Sequence, residues 1–345
     1  MEFTRPLAEL RSADAVEFGG KSANLGDLLS AGIPVPGGFA VGAGAFRAFV
    51  AETGLDGTIA SALSRAPKGD VEAASAASKA IDEAMRFAPL PEAVREELAR
   101  SYEALEGSPP VAVRSSALGE DSHDATFAGQ QESFLWIRGV EQLCDAVRDC
   151  WVSLYSPPAI TYRARLGGAD AAMGVAVQRM VDAEISGVMF TCNPVSGDPS
   201  MVAVNASWGL GLAVVGGEVT PDDYLVSKVT REVVREHVHP KEIEYVPDPD
   251  GRGAVRVEVP AERRSVPCLD APALEALVDV GRRVESYFGS PQDVEWVLAR
   301  GLALPESLLV VQARPVTALT RHTSTPASSA IDLVMGAFGA GSKRS

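Results

Sequence analysis

The sequence predicts a chain of mixed helix and sheet in two subdomains, on three observations. Its 345 residues exceed what one small core accommodates, at roughly 100–200 residues per domain. An Ala-, Glu- and Arg-rich stretch over 58–106 reads as two or three surface helices. The apolar segments 173–181, 186–192, 200–206 and 223–229, parted by Gly, Asn and Pro, read instead as strands of a mixed sheet. Near the end, Asp293-Val-Glu-Trp-Val-Leu-Ala299 and Leu308-Leu-Val-Val-Gln-Ala-Arg-Pro-Val316 flank a linker with Gly301 and Pro305 and form a hairpin-like pair of strands.

In chain order, Ser22 followed by Leu25, Leu28 and Leu29 predicts a capped helix over 22–31, entered through Phe18-Gly-Gly-Lys-Ser22 and ended by Gly32 and Pro34. After the turn Pro34-Val-Pro-Gly-Gly38 a helix resumes over 43–52, and the 58–106 helices break at Pro67-Lys-Gly69 and Pro89-Leu-Pro91. Val111-Ala-Val-Arg114 reads as a strand that delivers Arg114 to its end. The polar, Gly-containing run 115–131 has the length of a functional lid rather than a connector. A strand at 134–137, helices at 141–155 and 271–288, and an exposed excursion at 247–266 complete the chain up to the hairpin, while Trp208-Gly-Leu-Gly-Leu-Ala-Val-Val-Gly-Gly217 is too Gly-rich for an ordinary strand. Strand alternation puts Asp293, Glu295 and Val297 on one face and Val310, Gln312 and Arg314 on one face of the partner; Val294, Trp296, Leu298, Leu309, Val311 and Ala313 are expected in the core.

The net charge of −15 argues against nucleic acid or an anionic membrane as main partner, since both require a basic surface. Cys144, Cys150, Cys192 and Cys268 form no CxxC pair, which fits reduced thiols in a cytoplasmic protein, and neither a signal peptide nor a membrane span is expected.

Gly19-Gly-Lys-Ser22 resembles the end of a phosphate-binding P-loop, but Ala15 stands where that loop needs a glycine. What remains is Lys21 at a helix entrance, where free N–H groups favour an anion; the plainer reading is a solvated Lys after a Gly turn. Arg114 can grip phosphate with paired N–H bonds or serve in a structural ion pair. In the loop Asp121-Ser-His-Asp-Ala-Thr-Phe-Ala-Gly-Gln-Gln131, Gly129 permits close backbone approach to a polyphosphate, although most polar loops are only loops. Met180 and Val181 offer an apolar strand edge for a base, or plain core packing. Glu295 and Gln312 offer oxygens to a hard cation; the alternative is a cross-strand network in which Arg314 neutralises Glu295. None of His123, His237, His239 and His322 lies in a Gly- and Ser-rich turn of the kind that presents a phosphoryl carrier, and no Ser-His-Asp or Cys-His arrangement stands out.

Taken in order, Gly19-Gly-Lys-Ser-Ala-Asn-Leu25, Ile33-Pro-Val-Pro-Gly-Gly-Phe39, Val111-Ala-Val-Arg-Ser-Ser-Ala117, Phe127-Ala-Gly-Gln130, Ser186-Gly-Val-Met-Phe-Thr191, Ala206-Ser-Trp-Gly-Leu-Gly211, Thr220-Pro-Asp222, Gln292-Asp-Val-Glu-Trp296 and Val311-Gln-Ala-Arg-Pro315 closely resemble the nucleotide-binding domain of the phosphoenolpyruvate synthase, pyruvate phosphate dikinase and rifampicin phosphotransferase family. The resemblance implies an α+β, ATP-grasp fold in which two subdomains clamp ATP: 1–181 with the lid 115–131, then 182–318, followed by a polar tail 319–345. By that resemblance Lys21 and Arg114 would hold phosphates, Thr126, Gly129 and Gln130 would lie in the lid, and Gln178, Met180 and Val181 would contact adenine. Glu295 and Gln312 would bind Mg²⁺, and Arg314 would steady the transferring phosphate. The chemistry implied passes the β-phosphoryl group of ATP to a histidine, leaving AMP and phosphate, and from there to a small acceptor.

Two departures stand out. Leu212 occupies the place where the family commonly has Glu, and the Gly-Gly-x-Thr-Ser-His-Ala-Ala-like carrier turn is absent. The expectation is therefore an ATP-binding subunit of a split phosphotransferase, with the histidine on a partner polypeptide and a phenol or cresol as acceptor, and with Ile331 to Phe338 as a candidate docking patch. Alternatives are a nucleotide-binding regulatory subunit without chemistry, or a fragment of a longer synthase or antibiotic phosphotransferase.

Overall fold

The computed structural model describes residues 2–67, 69–118, 133–166, 172–249 and 253–316. The chain divides into two compact units, one of Met1–Asp27, Gly37–Met180 and Gly251–Gly253, the other of Leu28–Pro36, Val181–Asp250 and Ala254–Ser345.

The first unit contains β1 (Thr4–Pro6), α1 (Ala15–Phe18), α2 (Gly20–Ser30), whose C-terminal end counts with the other unit, β2 (Gly38–Val41), α3 (Ala43–Thr53), α4 (Leu55–Ser64), α5 (Val71–Phe87), α6 (Glu92–Glu103), β3 (Val111–Ala117), β4 (Ser133–Ile137), α7 (Gly139–Ser153), α8 (Pro157–Leu166) and β5 (Met173–Arg179). Local chemistry explains the helices. Asp70 caps α5 by accepting the Ala73 N–H, and the buried Ala74, Ala77, Ile81 and Met85 recur at three- and four-residue spacing along one stripe. Trp151 of α7 is fully buried, stacked on Phe49 with centroids 5.4 Å apart and met edge-on by Phe46 at 5.9 Å. The strands form an antiparallel sheet in the order β1-β2-β5-β3-β4. Its Val111, Val113, Val175, Val177, Phe39 and Val41 join the helical core. The opposite face is small and polar: Ala112, Arg114 and Ser116 on β3 lie beside Gln178, Ala176 and Gly174 on β5, and Gly38 and Ala40 of β2 follow.

The second unit contains β6 (Ala183–Phe190), β7 (Met201–Trp208), α9 (Leu212–Val215), β8 (Asp222–Ser227), β9 (Val233–His237), β10 (Ile243–Pro247), β11 (Ala254–Glu258), α10 (Ala271–Phe288), β12 (Gln292–Ala299) and β13 (Leu308–Pro315). An antiparallel sheet runs β13-β12-β6-β7-β8-β9, and β10 and β11 make a separate hairpin. Asp270 caps α10 through the Ala273 N–H, Gly289 ends it at φ 71°, and Leu274, Leu277, Val278, Gly281 and Val284 are its buried stripe. That stripe packs on the sheet: a Cβ on Gly281 would come 3.2 Å from the Met189 sulfur.

Several expectations change. The four apolar segments do not share one mixed sheet; the first, β5, belongs to the first unit, and all the paired strands are antiparallel. The 247–266 excursion includes the strand β11, paired with β10. Ser22 lies inside α2 rather than capping it, and α8 adds a helix at Pro157–Leu166. Arg114 sits in the middle of β3, which continues to Ala117. In the final hairpin the register shifts at Glu295/Trp296: Glu295 faces Gln312, but Trp296 faces Val310, so Val311 is the extra residue of a bulge. The bulge reverses the phase of alternation, and Leu308, Val310 and Ala313 are the buried residues of β13, with Leu309 and Val311 half-buried. On β12, Val294 and Trp296 are fully buried as alternation requires, but Val297 is buried and Leu298 half-buried, the reverse of the expectation.

Candidate functional site

In the first unit, the α1–α2 junction is pressed onto β3. Gly19 adopts φ 80°, and a Cβ there would come 2.2 Å from the Ser116 carbonyl oxygen, so only glycine allows the approach. The closeness lets the Ser22 N–H donate to Ser116 Oγ at 3.3 Å and the Lys21 ammonium donate to the Ser115 carbonyl at 2.8 Å. Lys21, far from β3 in sequence, thus reaches that strand at Ser115, the residue after Arg114. Arg114 and the buried Gln178 share the small-residue face of the sheet, where Ala112, Ala176 and Gly174 leave room beside them. Met180, half-buried, follows β5 and donates its N–H to the Pro110 carbonyl at 2.8 Å; Val181, also half-buried, opens the second unit. Thr126, Gly129 and Gln130 lie outside the described residues.

In the second unit, one row of paired residues crosses the sheet as Gln312, Glu295, Val188, Asn205 and Asp223, and the next as Arg314, Asp293, Phe190, Ala203 and Leu225. Residues paired in adjacent strands share a face, so Glu295, Gln312, Asp293 and Arg314 project together. Arg314 donates from Nε to Oδ2 of Asp293 at 2.9 Å and holds Nη2 2.9 Å from the same oxygen. Arg314 thus pairs with Asp293, two residues from the Glu295 that the sequence offered as an alternative partner. Burial pushes the Asp293 carboxyl up to about 6, Arg314 opposing the shift and Glu295 reinforcing it. Its other oxygen, Oδ1, is buried and accepts no hydrogen bond, and the buried hydroxyls of Ser186 and Ser207 and the Asn205 carboxamide lie unbonded on the same face. Buried polar atoms normally have partners, and carboxylate oxygens in this condition suit a cation. Two carboxylates and an amide oxygen are a hard donor set, suited to an ion that needs few protein oxygens. The residues present therefore fit Mg²⁺.

The sequence reading passed over the partner role of Asp293; its place two residues before Glu295 on a strand was the available signal. It also left Asp222, of the Thr220-Pro-Asp222 motif, without a role. Asp222 is a fully buried hub: Oδ1 accepts from Lys241 Nζ at 2.5 Å and the His239 N–H at 3.0 Å, and Oδ2 from the Cys268 N–H at 2.8 Å. Leu212 opens α9 and is half-buried. All four cysteines are buried and none is in a disulfide, and burial pushes the Cys144 thiol up to about 11, away from reactivity. Among the described residues no helix is long and apolar enough to cross a membrane.

Residues 15–333 match the family model of the pyruvate phosphate dikinase AMP/ATP-binding domain. The chain is 40% identical over 328 residues to a probable phosphoenolpyruvate synthase of Methanocaldococcus jannaschii, covering 93% of this chain and 27% of that protein. To the probable phosphoenolpyruvate synthase of Methanothermobacter thermautotrophicus it is 39% identical over 339 residues, covering 96% of this chain and 48% of the relative. The phosphoenolpyruvate synthase of Aeropyrum pernix is 37% identical over 334 residues, with 88% and 41% covered. The chain spans from about a quarter to a half of these relatives' lengths. With α+β architecture and the ordered motifs in place, the chain belongs to the pyruvate phosphate dikinase AMP/ATP-binding domain family.

Proposed function

We propose that this chain binds ATP with Mg²⁺ and passes the β-phosphoryl group to a histidine on a separate polypeptide, leaving AMP, while one water takes the γ-phosphoryl group to give phosphate; the phosphohistidine then phosphorylates a small acceptor such as a phenol or cresol. The observation that carries the reading is Arg314, locked by the buried Asp293 beside the Glu295–Gln312 pair, in a chain of an ATP-binding family. A structural network has no need of a guanidinium left one-third exposed next to a buried carboxylate oxygen without a hydrogen bond.

In this reading Lys21 and Arg114 bind phosphate oxygens, Lys21 being aimed by the Ser115 carbonyl and by the start of α2. Gln178, Met180 and Val181 receive the adenine, and Thr126, Gly129 and Gln130 belong to a lid that excludes water. Glu295 and Gln312 hold Mg²⁺, which supplies charge neutralisation on the phosphates when bound. Arg314, its rotamer set by two contacts to Asp293, donates to the oxygens on which charge builds during transfer, at no reorganisation cost.

Incubating the chain with Mg-ATP and a histidine-bearing candidate partner should yield AMP and acid-labile phosphate on the partner. ADP as the sole product, or transfer without the partner, would overturn the proposal. Pyruvate belongs beside phenol and cresol in the acceptor panel, since the relatives are phosphoenolpyruvate synthases. Leu212, in place of the family's usual Glu, favours a second reading, a regulatory subunit that binds nucleotide without chemistry; it predicts ATP binding with no AMP under any partner.

A further inference from the structure

On the helical side of the first unit's sheet, opposite the face that carries Arg114 and Gln178, lies a cavity of about 860 Å³. Its walls are apolar, with Phe46 and Val50 from α3, Ile59 and Leu63 from α4, and Ile160 from α8. Arg163 of α8 also lines it. One N–H of its guanidinium goes to the Leu154 carbonyl, and the guanidinium carbon stands 5.1 Å from the centroid of the Tyr155 ring. Among the described residues no carboxylate lies within ion-pair distance of it. The other charged residues of the lining are Arg47, paired with Glu17 at 3.2 Å, and Asp56.

A guanidinium in apolar surroundings is costly without a counter-charge, and arginine does not escape by losing its proton. Burial lowers the Arg163 pKa, which records the same cost. Among the described residues no carboxylate supplies that negative charge, and a ligand that supplies it among apolar walls has to carry an apolar body. Volumes of this size are those of small-molecule sites, where a few polar groups orient a mainly apolar guest. We propose that this cavity binds an amphipathic monocarboxylate, its carboxylate on the free N–H groups of Arg163 and its apolar body among Phe46, Val50, Ile59 and Leu63.

The test is calorimetric titration of the full chain with naphthalene-2-carboxylate and its neutral isostere naphthalene-2-carboxamide. The acid should bind saturably with one site and at least 10-fold more tightly than the amide, unaffected by saturating ATP. Arg163→Met should weaken the acid by at least 10-fold and leave the amide unchanged. Leu63→Trp, which fills the cavity and keeps the guanidinium, should abolish binding of both, with melting temperatures of both variants reported alongside. Equal affinity for acid and amide, wild-type affinity in Arg163→Met, or displacement by ATP would each overturn the proposal. None of these outcomes depends on the phosphotransfer reading.

Discussion

The second unit contains two carboxylate–cation pairs, Asp222 with Lys241 and Asp293 with Arg314, and they differ in what surrounds them. Asp222 and Lys241 are both fully buried, and backbone N–H groups of His239 and Cys268 complete the shell of the carboxylate. Asp293 is nearly as buried, but Arg314 is 32% exposed and Oδ1 of Asp293 accepts nothing. The first pair is closed, every strong acceptor being used. The second is open on one side and directs its remaining capacity outward, next to Glu295 and Gln312. Burial alone does not separate the two pairs; completeness of the hydrogen-bond shell does.

The contrast can be broken or sharpened by substitution. Asp222→Ala leaves the Lys241 ammonium buried without a counter-charge, which typically costs about 3–5 kcal/mol. Urea unfolding should show that loss, and a wild-type midpoint would mean the hub is dispensable. Arg314→Ala should do the opposite, lowering the rate of AMP formation by ~10²–10³-fold, the scale of one preorganised donor, with the unfolding midpoint retained. A variant with near-normal turnover would remove Arg314 from the reaction.

Gly19→Ala tests the first unit's own device, the close approach that aims Lys21. The positive φ alone should cost ~1–3 kcal/mol, and the overlap with Ser116 should also displace Lys21, so weakened ATP binding should accompany the lower midpoint. Unchanged affinity would separate Lys21 from the nucleotide.

The smallest effect concerns pH. Burial raises the folded Asp293 carboxyl from an ordinary value near 3.8 to about 6, so the folded chain holds that proton more tightly than the unfolded one. Its contribution to stability is therefore present below about pH 4 and is lost as pH rises through about 6. The melting midpoint of the metal-free wild type, measured relative to Asp293→Asn, should fall across that window. A difference constant with pH would place the carboxyl at its ordinary value.

Much of this was legible beforehand. The stripes and caps of α5 and α10 lie in the residues themselves, because capping and amphipathic periodicity are local chemistry. The final hairpin was legible for the same reason, since Val, Leu and Trp alternate with polar residues at a period of two. Its fine structure was not. One bulge moved the core from Val311 to Val310, and the sequence carries no sign of where a single extra residue is absorbed. The strand pattern alone did not show the split of the four apolar segments between two sheets, because an apolar strand does not reveal its neighbour; only the subdomain boundary implied by the resemblance separated the first from the rest.

The order of motifs, and with it the family, was therefore determined by sequence alone, as were the positions of most helices and the residue types available for phosphate and cation. Only the tertiary structure decided that Arg314 answers to Asp293, that Gly19 brings Lys21 to the Ser115 carbonyl, and that Asp222 serves the fold. The physical reason is range. Propensity and periodicity act between residues a few places apart, whereas register, close approach and charge pairing join residues from 19 to 94 places apart and are resolved only when the sheets close.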